Sequence, residues 1–472
     1  MKVNPYMFRG YDLRGLVDQD LNEEIVEHLG MAHGTFMKRS KIKKALIGYD
    51  CRATSPQYAQ ALARGYSKVG IDSINIGMNM VGTFYWAQYF LEIPGGAFVT
   101  ASHNPSEYNG FKFSIGYSQT MVSKEIQEIR KMVEQEDYDI CDQAGKIEHQ
   151  DIKIEYNSDI IKRLPLKRKF KVVIEASNAT AGAIAPEFLR QAGCEVVESN
   201  CKIDPLFPLG TPDPTEMNVA ERLSKKVIES KADLGFSYDA DGDRIGIVDE
   251  KGRIIWNDVL VALFSADVLQ QYPGSTIMYN TLCSKVVEDT IKSNGGLPFM
   301  WRTGHSFLKK KNQEVKAAFI GELSGHFFFS KDFYNHDDGL YSSLRLLRYL
   351  SESGLFLSEE IDKLPKYISS PEIKVGCADD KKIVLMKKIA EKLKNDFPDA
   401  GVIDDERAGD GVRLDMEDRM FVVRYSQNGP YLTTKFEAKT TDDYDELKKY
   451  INKLLHQYQE IDWDYGVNVD AL

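Results

Sequence analysis

No CxxC pair occurs among the six cysteines, Cys51, Cys141, Cys194, Cys201, Cys283 and Cys377, spread over 472 residues. That spacing excludes a cysteine zinc site and a disulfide framework, and it predicts reduced thiols in a cytoplasmic protein, each packed as a small hydrophobe. An excess of basic residues is missing as well: 60 Lys+Arg face 71 Asp+Glu, a formal charge of −11. Such a chain does not attract nucleic acid or anionic lipid through its overall field, so an anionic ligand needs a local cationic pocket. Long apolar runs are also lacking. Residues 73–91 carry no charge but are broken by Asn, Gly, Gln and Thr, which argues against a membrane span. The opening MKVNPYMFRGYDLRG has no apolar signal-peptide core. What is present is globular: 43% hydrophobic and 28% charged residues, with length for three or four domains at roughly 150 residues each.

One pattern recurs three times. Residues 45–50 read as a strand, 55–70 as a helix, 73–77 as a strand and 96–102 as an apolar run feeding a loop. The second stretch has strands at 171–177 and 195–199 around a helix over 185–193. A proline-rich connection (Pro205, Pro208, Pro212, Pro214) then leads to a helix over 216–230 and a hairpin-like pair around a short acidic loop. The third has strands at 276–280, 298–304 and 317–322, separated by helices. This alternation predicts βαβ units with mixed or mostly parallel sheets, whose ligands sit at strand carboxyl ends. From 372 onward a strand, a helix over 380–394, two antiparallel strands and a helix over 442–458 read as α+β. The expected domains are 1–151, 152–253, 254–366 and 367–472, with 462–472 a docked or frayed tail.

Four loops carry chemistry. Residues 100–112, TASHNPSEYNGFK, set Ser102 beside His103 after an apolar strand, which suits a hydroxyl presented at a strand end. The hydrolase elbow G-x-S-x-G does not fit, because Thr100 and Asn104 flank the serine. An Asn-Pro turn explains the tripeptide but not the whole segment. Asp239, Asp241 and Asp243 stand at every second position. Like charges so close repel unless a cation compensates, and hard oxygen ligands suit Mg²⁺ or Ca²⁺. The rival EF-hand reading fails where Arg244 replaces the turn glycine, and a solvated acidic turn is the plain alternative. Residues 321–326, with Glu322, Ser324 and His326, offer groups for sugar hydroxyls, and 302–306, with His305, should share their sheet edge. Each histidine alone also suits a structural hydrogen bond. Residues 424–430 set Arg424, Ser426, Gln427 and Asn428 around a glycine, as in a phosphate cradle, although an Asn-Gly-Pro turn beside an arginine is common.

In order, FRGYDLRG (8–15), TASHNPSEYNGFK, DADGDR (239–244), RTGHS (302–306), GELSGH (321–326) and RYSQNGP (424–430) span the chain. With these six motifs it closely resembles the α-D-phosphohexomutase superfamily, in particular the bacterial phosphomannomutase/phosphoglucomutase branch. The resemblance implies three related α/β domains and a fourth, mobile one like the TATA-binding-protein fold, around a central cleft. It implies that Ser102 carries a phosphoryl group, bridged by Mg²⁺ to Asp239, Asp241 and Asp243. His103 and Lys112 then look like acid/base groups, and Arg14 and Arg244 like charges at the reaction centre. Tyr11, His305, Glu322, Ser324 and His326 look like sugar-side ligands, and Arg424, Ser426, Gln427 and Asn428 like holders of the non-reacting phosphate.

The implied activity interconverts hexose 1-phosphate and hexose 6-phosphate through a hexose 1,6-bisphosphate, which also primes the enzyme. The implied partners are hexose phosphates, and the implied state is a cytoplasmic monomer or weak homo-oligomer. Two departures stand out: Gln427, Asn428 and Gly429 replace the Asn-Thr-Glu/Gln of many relatives, and the segment YNTLCSK (279–285) gives no assignable lysine where some relatives have one. A phosphoglucosamine mutase is the nearest alternative; Leu323 stands where such enzymes more often have Gln. A catalytically silent sugar-phosphate binder is another, opposed by the intact Ser102, aspartate triad and Lys112.

Overall fold

A computed structural model of the chain describes residues 1–426 and 429–472. Among the described residues the strands form four sheets. In the first, the strands Lys44–Tyr49, Asp72–Met78 and Gly95–Val99 run parallel. Tyr108–Gly116 and then Leu13–Leu16 extend that edge antiparallel. The second sheet is similar: Glu195–Ser199, Lys171–Glu175 and Leu234–Tyr238 are parallel, and Ile245–Asp249 and Ile254–Ile255 add antiparallel. The third has Leu297–Trp301, Thr276–Asn280 and Phe319–Gly321 parallel, edged by Phe327–Phe328. The fourth is antiparallel throughout, with Tyr431–Ala438 between Arg419–Tyr425 and Ile373–Cys377. Three α/β/α domains with mixed sheets are thus followed by a separate antiparallel-sheet domain.

The helices follow their sequence signals. Met217–Ser230 buries Val219, Leu223 and Val227, a stripe at the i, i+4, i+8 spacing, and ends at Lys231 in a left-handed conformation. Glu23–Arg39 starts from Asn22, whose side chain accepts from the Ile25 amide, and Gly339–Ser353 starts from Asp338, which accepts from Tyr341.

Several limits differ from the sequence expectation. The helix expected over 185–193 spans Ala181–Gln191. Thr180 stands at its start but makes no side-chain capping bond there. Ile254–Ile255 pairs with the second sheet, which therefore runs past residue 253. The loop expected to reach 112 ends earlier, because Tyr108–Gly116 is a strand and Lys112 pairs with Phe98. The tail is docked: Ile461–Val467 pairs with Ile373–Cys377.

One continuous core joins the first three domains, from Phe84 and Phe98 through Val172 and Phe236 to Phe264 and Phe319. The fourth domain closes a core of its own around Ile389, Phe421, Phe436 and Ile451, although Met420 and Val422 reach the large core. Its other attachments are polar: Arg413 Nη1 donates to the Thr281 and Cys283 carbonyls at 2.7 and 2.6 Å, and Lys435 pairs with buried Asp258. Among the described residues no helix is long and apolar enough to cross a membrane.

Candidate active site

The loops holding Ser102, the aspartates, residues 302–306 and residues 321–326 leave the carboxyl ends of parallel strands, where adjacent connections diverge and open a crevice. Ser102 follows the strand Gly95–Val99 and is buried, with φ at 48°, a left-handed conformation costing roughly 1–2 kcal/mol for a non-glycine residue. The surroundings hold it there. Its amide donates to Thr100 Oγ1 at 2.8 Å, and that hydroxyl donates to Asp50 Oδ2 at 2.7 Å. Beneath the loop, buried Arg52 donates to the carbonyls of Ser102, Asn104, Pro105 and Tyr108 at 2.6, 2.6, 2.7 and 3.0 Å. Ser102 Oγ thereby sits 3.0 Å from Asp239 Oδ2 and 3.1 Å from His103 Nδ1.

Asp239, Asp241 and Asp243 lie on the tight turn between two fully buried antiparallel strands, Leu234–Tyr238 and Ile245–Asp249. Gly242 has φ of 72°, a left-handed conformation that favours glycine in the turn, and a Cβ there would displace the methionine end of Met80. Both flanking domains secure the turn: the Val81 amide donates to the Asp241 carbonyl and the Gly339 amide to that of Gly242. The three carboxylates offer oxygens all within 4.8 Å of one another. Lys112 is the cation among them, its Nζ 2.7 Å from Asp241 Oδ2 and paired also with Asp243.

The protonation pattern follows from this packing. Burial and the charges of Asp241 and Asp243 push Asp239 well above the ordinary carboxylate range. Burial works against the Lys112 ammonium, but the same two aspartates outweigh it and hold its pKa well up. Oxygen-only donors in this arrangement fit a hard divalent cation, and buried Asp241 Oδ1 has no hydrogen-bond partner.

Next to this cluster is a cleft lined by residues of all four domains. Tyr11, His103, Arg244, His305, Glu322, Ser324, His326, Arg424 and Ser426 all reach it, together with Thr303, Glu372, Lys374 and Tyr431. Ser102, Lys112, Arg14 and the aspartates are buried beside it, with His103 and Arg244 shared between the two. Gln427 and Asn428 lie outside the described residues.

Arg244 Nε donates to His326 Nε2 at 3.0 Å. A guanidinium can only donate, so that nitrogen accepts and the ring proton is on Nδ1, 2.7 Å from Asp337 Oδ2. The His305 and His326 rings stack at 5.0 Å, as expected of loops from one sheet edge, and burial drives the pKa of His305 well down. Glu322 Oε2 accepts from the Gly304 amide at 2.9 Å, and burial pushes its carboxyl up. Gly325, with φ of 95°, lets the turn approach Ile245, whose amide donates to the Gly325 carbonyl; a Cβ would lie 2.5 Å from Ile245 O. Arg14 donates to Asp12 at 2.8 Å and to Asn104 Oδ1 at 2.6 Å. Arg424 donates to both Asp410 oxygens, at 2.9 and 2.5 Å.

The sequence reading missed Asp50 and Arg52, Asp12, Asp213, Asp337, Asp410 and Lys374. A weak signal existed for Asp50 and Arg52, which follow an apolar strand directly, and for Asp213, inside the proline-rich connection. Asp12 lies inside the motif FRGYDLRG, between Tyr11 and Arg14, whereas Asp337, Asp410 and Lys374 sit in ordinary contexts. Lys285, left unassigned, extends toward Asp415 at 4.0 Å and does not line the cleft.

Comparison with known proteins identifies relatives of the whole chain. Models of the phosphoglucomutase/phosphomannomutase α/β/α domains I, II and III match residues 6–139, 154–252 and 256–367. The chain belongs to the phosphoglucomutase/phosphomannomutase family. Within that family, a phosphomannomutase/phosphoglucomutase of Pseudomonas aeruginosa is 34% identical over 442 residues, 94% of each chain. The crystal structure of a family protein from Burkholderia thailandensis superposes with a TM-score of 0.87 at 30% identity, covering 96% of this chain and 98% of that one. The fold extends further, to the Aspergillus fumigatus N-acetylphosphoglucosamine mutase solved in complex with GlcNAc-6P and magnesium. That structure has a TM-score of 0.62 at 14% identity and covers 96% of both chains.

Proposed function

We propose that this chain is a phosphomannomutase/phosphoglucomutase, interconverting hexose 1-phosphates and hexose 6-phosphates through a phosphoserine and a hexose 1,6-bisphosphate. The observation that carries the reading is Ser102: a strained, buried hydroxyl between Asp239 and His103, beside a cleft rimmed by Arg244, Lys374 and Arg424. Phospho-Ser102 gives its phosphoryl group to the free hydroxyl of a bound hexose phosphate. The P–Oγ bond breaks, a bond to the sugar oxygen forms, and the hydroxyl proton passes to the enzyme. The bisphosphate turns end for end, and its other phosphoryl group returns to Ser102.

Asp239, Asp241 and Asp243 would hold Mg²⁺, which when bound offsets the phosphoryl charge; magnesium is present in the Aspergillus relative's complex. Burial and the neighbouring charges of Arg244 and Arg14 keep His103 well below the usual imidazole range, so it is neutral and able to accept a proton. Lys112, held firmly as an ammonium by Asp241 and Asp243, balances charge at the reaction centre. Arg14 fixes the serine loop through Asn104, and Arg244 brings positive charge to the reaction centre. Glu322, Ser324, His305, His326 and Tyr11 would orient the sugar hydroxyls. Arg424 and Ser426, with Gln427 and Asn428, would take the phosphate that is not reacting. The fourth domain's own core is consistent with an opening motion that lets the intermediate turn.

The test is turnover of mannose 1-phosphate with catalytic glucose 1,6-bisphosphate and Mg²⁺, followed as 6-phosphate formation, with glucose and glucosamine phosphates compared. The Ser102→Ala variant should take no label from radioactive bisphosphate and lose at least about 1,000-fold in kcat. Undiminished turnover in that variant would sink the reading.

A further inference from the structure

The fourth domain presents two cations to the cleft, and the phosphate-loop motif accounts for one of them, Arg424. The other is Lys374, on the strand Ile373–Cys377. Sheet register puts the two in one row: Lys374 lies opposite Thr433, and Thr433 opposite Arg424. Residues directly opposite in an antiparallel sheet project from the same face, and two strand spacings separate these backbones by about 10 Å. That gap is suited to a phosphate gripped from both sides by long side chains.

The two cations differ in how they are held. Arg424 is fixed within its own domain by paired hydrogen bonds to Asp410. Lys374 reaches out of its domain. Its ammonium lies 3.8 Å from Asp213 Oδ2 on the proline-rich loop of the second domain, and Arg244 Nη1 is also 3.8 Å from that oxygen. Asp213 Oδ1 is already taken by the amide and hydroxyl of Thr215. A charge-assisted N–H···O bond is normally 2.7–2.9 Å, so this contact is a loose tether that leaves the ammonium's three donors to spare. Burial opposes the charge on Lys374, but Asp213 and Glu372 outweigh it, so the group is cationic at neutral pH.

We propose that Lys374 is a further phosphate ligand of the cleft. With a hexose phosphate seated at Arg424 and Ser426, its ammonium leaves Asp213 for the phosphate oxygens, and the fourth domain exchanges a contact with the second domain for one with the ligand. This inference rests on the reading of the chain as a hexose phosphate mutase.

The experiment compares wild type, Lys374→Met and Lys374→Arg. Glucose 1-phosphate and mannose 1-phosphate are titrated calorimetrically in excess EDTA, so that turnover does not intervene, and steady-state kinetics are measured with Mg²⁺. Loss of one charge-assisted phosphate contact should raise Kd and KM about 10- to 100-fold in K374M. The kcat should change far less, because the phosphate is bound in both ground and transition states. K374R should recover most of the affinity, and K374M should show a shallower dependence of affinity on salt. Affinities within about twofold of wild type would overturn the proposal. If K374M does not fold, lysine acetylation of the wild-type protein decides: glucose 1-phosphate should protect Lys374, and equal labelling with and without it overturns the assignment. A wild type that neither binds nor converts hexose phosphates would refute the proposed function itself. A fully active wild type with an unaffected K374M would refute only this inference.

Discussion

Arg52→Lys is the most informative single change outside the cleft. All five side-chain N–H donors of Arg52 are engaged: one on Asp50 at 3.2 Å and four on carbonyls of the serine loop at 2.6–3.0 Å. Lysine has three donors on one nitrogen, so at least two of these bonds vanish while the charge opposite Asp50 survives. At roughly 1.5–3 kcal/mol per hydrogen bond to a charged group, the loss is about 3–6 kcal/mol. The serine loop bears it directly, because these bonds hold Ser102 at φ 48° against an opposing conformational preference of roughly 1–2 kcal/mol. Released, Ser102 relaxes toward ordinary backbone angles and its Oγ leaves its position 3.0 Å from Asp239. Misplacement of a reacting group by about 1 Å costs on the order of 100-fold in rate. Circular dichroism on heating should show the first transition lowered on the order of 10 °C. Stopped assays with saturating hexose 1-phosphate should show kcat down about 100-fold, with KM nearly unchanged. A variant that melts early yet keeps its kcat would refute the positioning role. One that matches wild type in both would refute the energetic reasoning as well.

Two further outcomes follow from the same structure. Excess EDTA should abolish turnover and Mg²⁺ should restore it, since three carboxylates with oxygens within 4.8 Å of one another are only partly compensated by Lys112 and the more distant Arg244; full activity in EDTA would count against the aspartate site. Asp338 is a second test, of linkage. Burial pushes its carboxyl up to about 6, opposed by the Tyr341 amide and the Tyr156 hydroxyl. The folded state then holds this proton more tightly than the unfolded state, whose pKa is near 3.8. Its stabilisation is complete below about pH 4 and is lost as pH rises through about 6, by about 3 kcal/mol in all. Asp338→Asn keeps the helix cap and removes the titration, so the stability difference between wild type and variant, from urea titrations, should fall across that window. Parallel curves would show that Asp338 does not titrate there.

Much of the architecture was legible along the chain. Strand and helix periods at Thr276–Asn280 and Met217–Ser230 are local properties, because a buried strand is a short apolar run and a surface helix a stripe every third or fourth residue. Motifs that place their chemistry within one loop were legible for the same reason: the aspartate triad and the Ser102–His103 pair need only neighbouring residues. The charge problem was visible too, since an acidic chain must gather cations locally to bind any anionic ligand.

Tertiary structure decided what depends on residues distant in sequence. Lys112 reads as the end of a loop, yet it lies on a strand whose pairing with Gly95–Val99 turns it toward carboxylates 129 and 131 residues later. Arg52 carries no motif, and its role exists only because the serine loop folds back over it. Lys374 and Arg424 become neighbours through the register of an antiparallel sheet, and Asp213 meets Lys374 only where two domains close on the cleft. Sequence records which side chains are available and the local periods that shape their elements. Which of them share an ion pair, shift one another's protons or face one phosphate is set by packing between elements, and packing leaves no periodic trace in the chain.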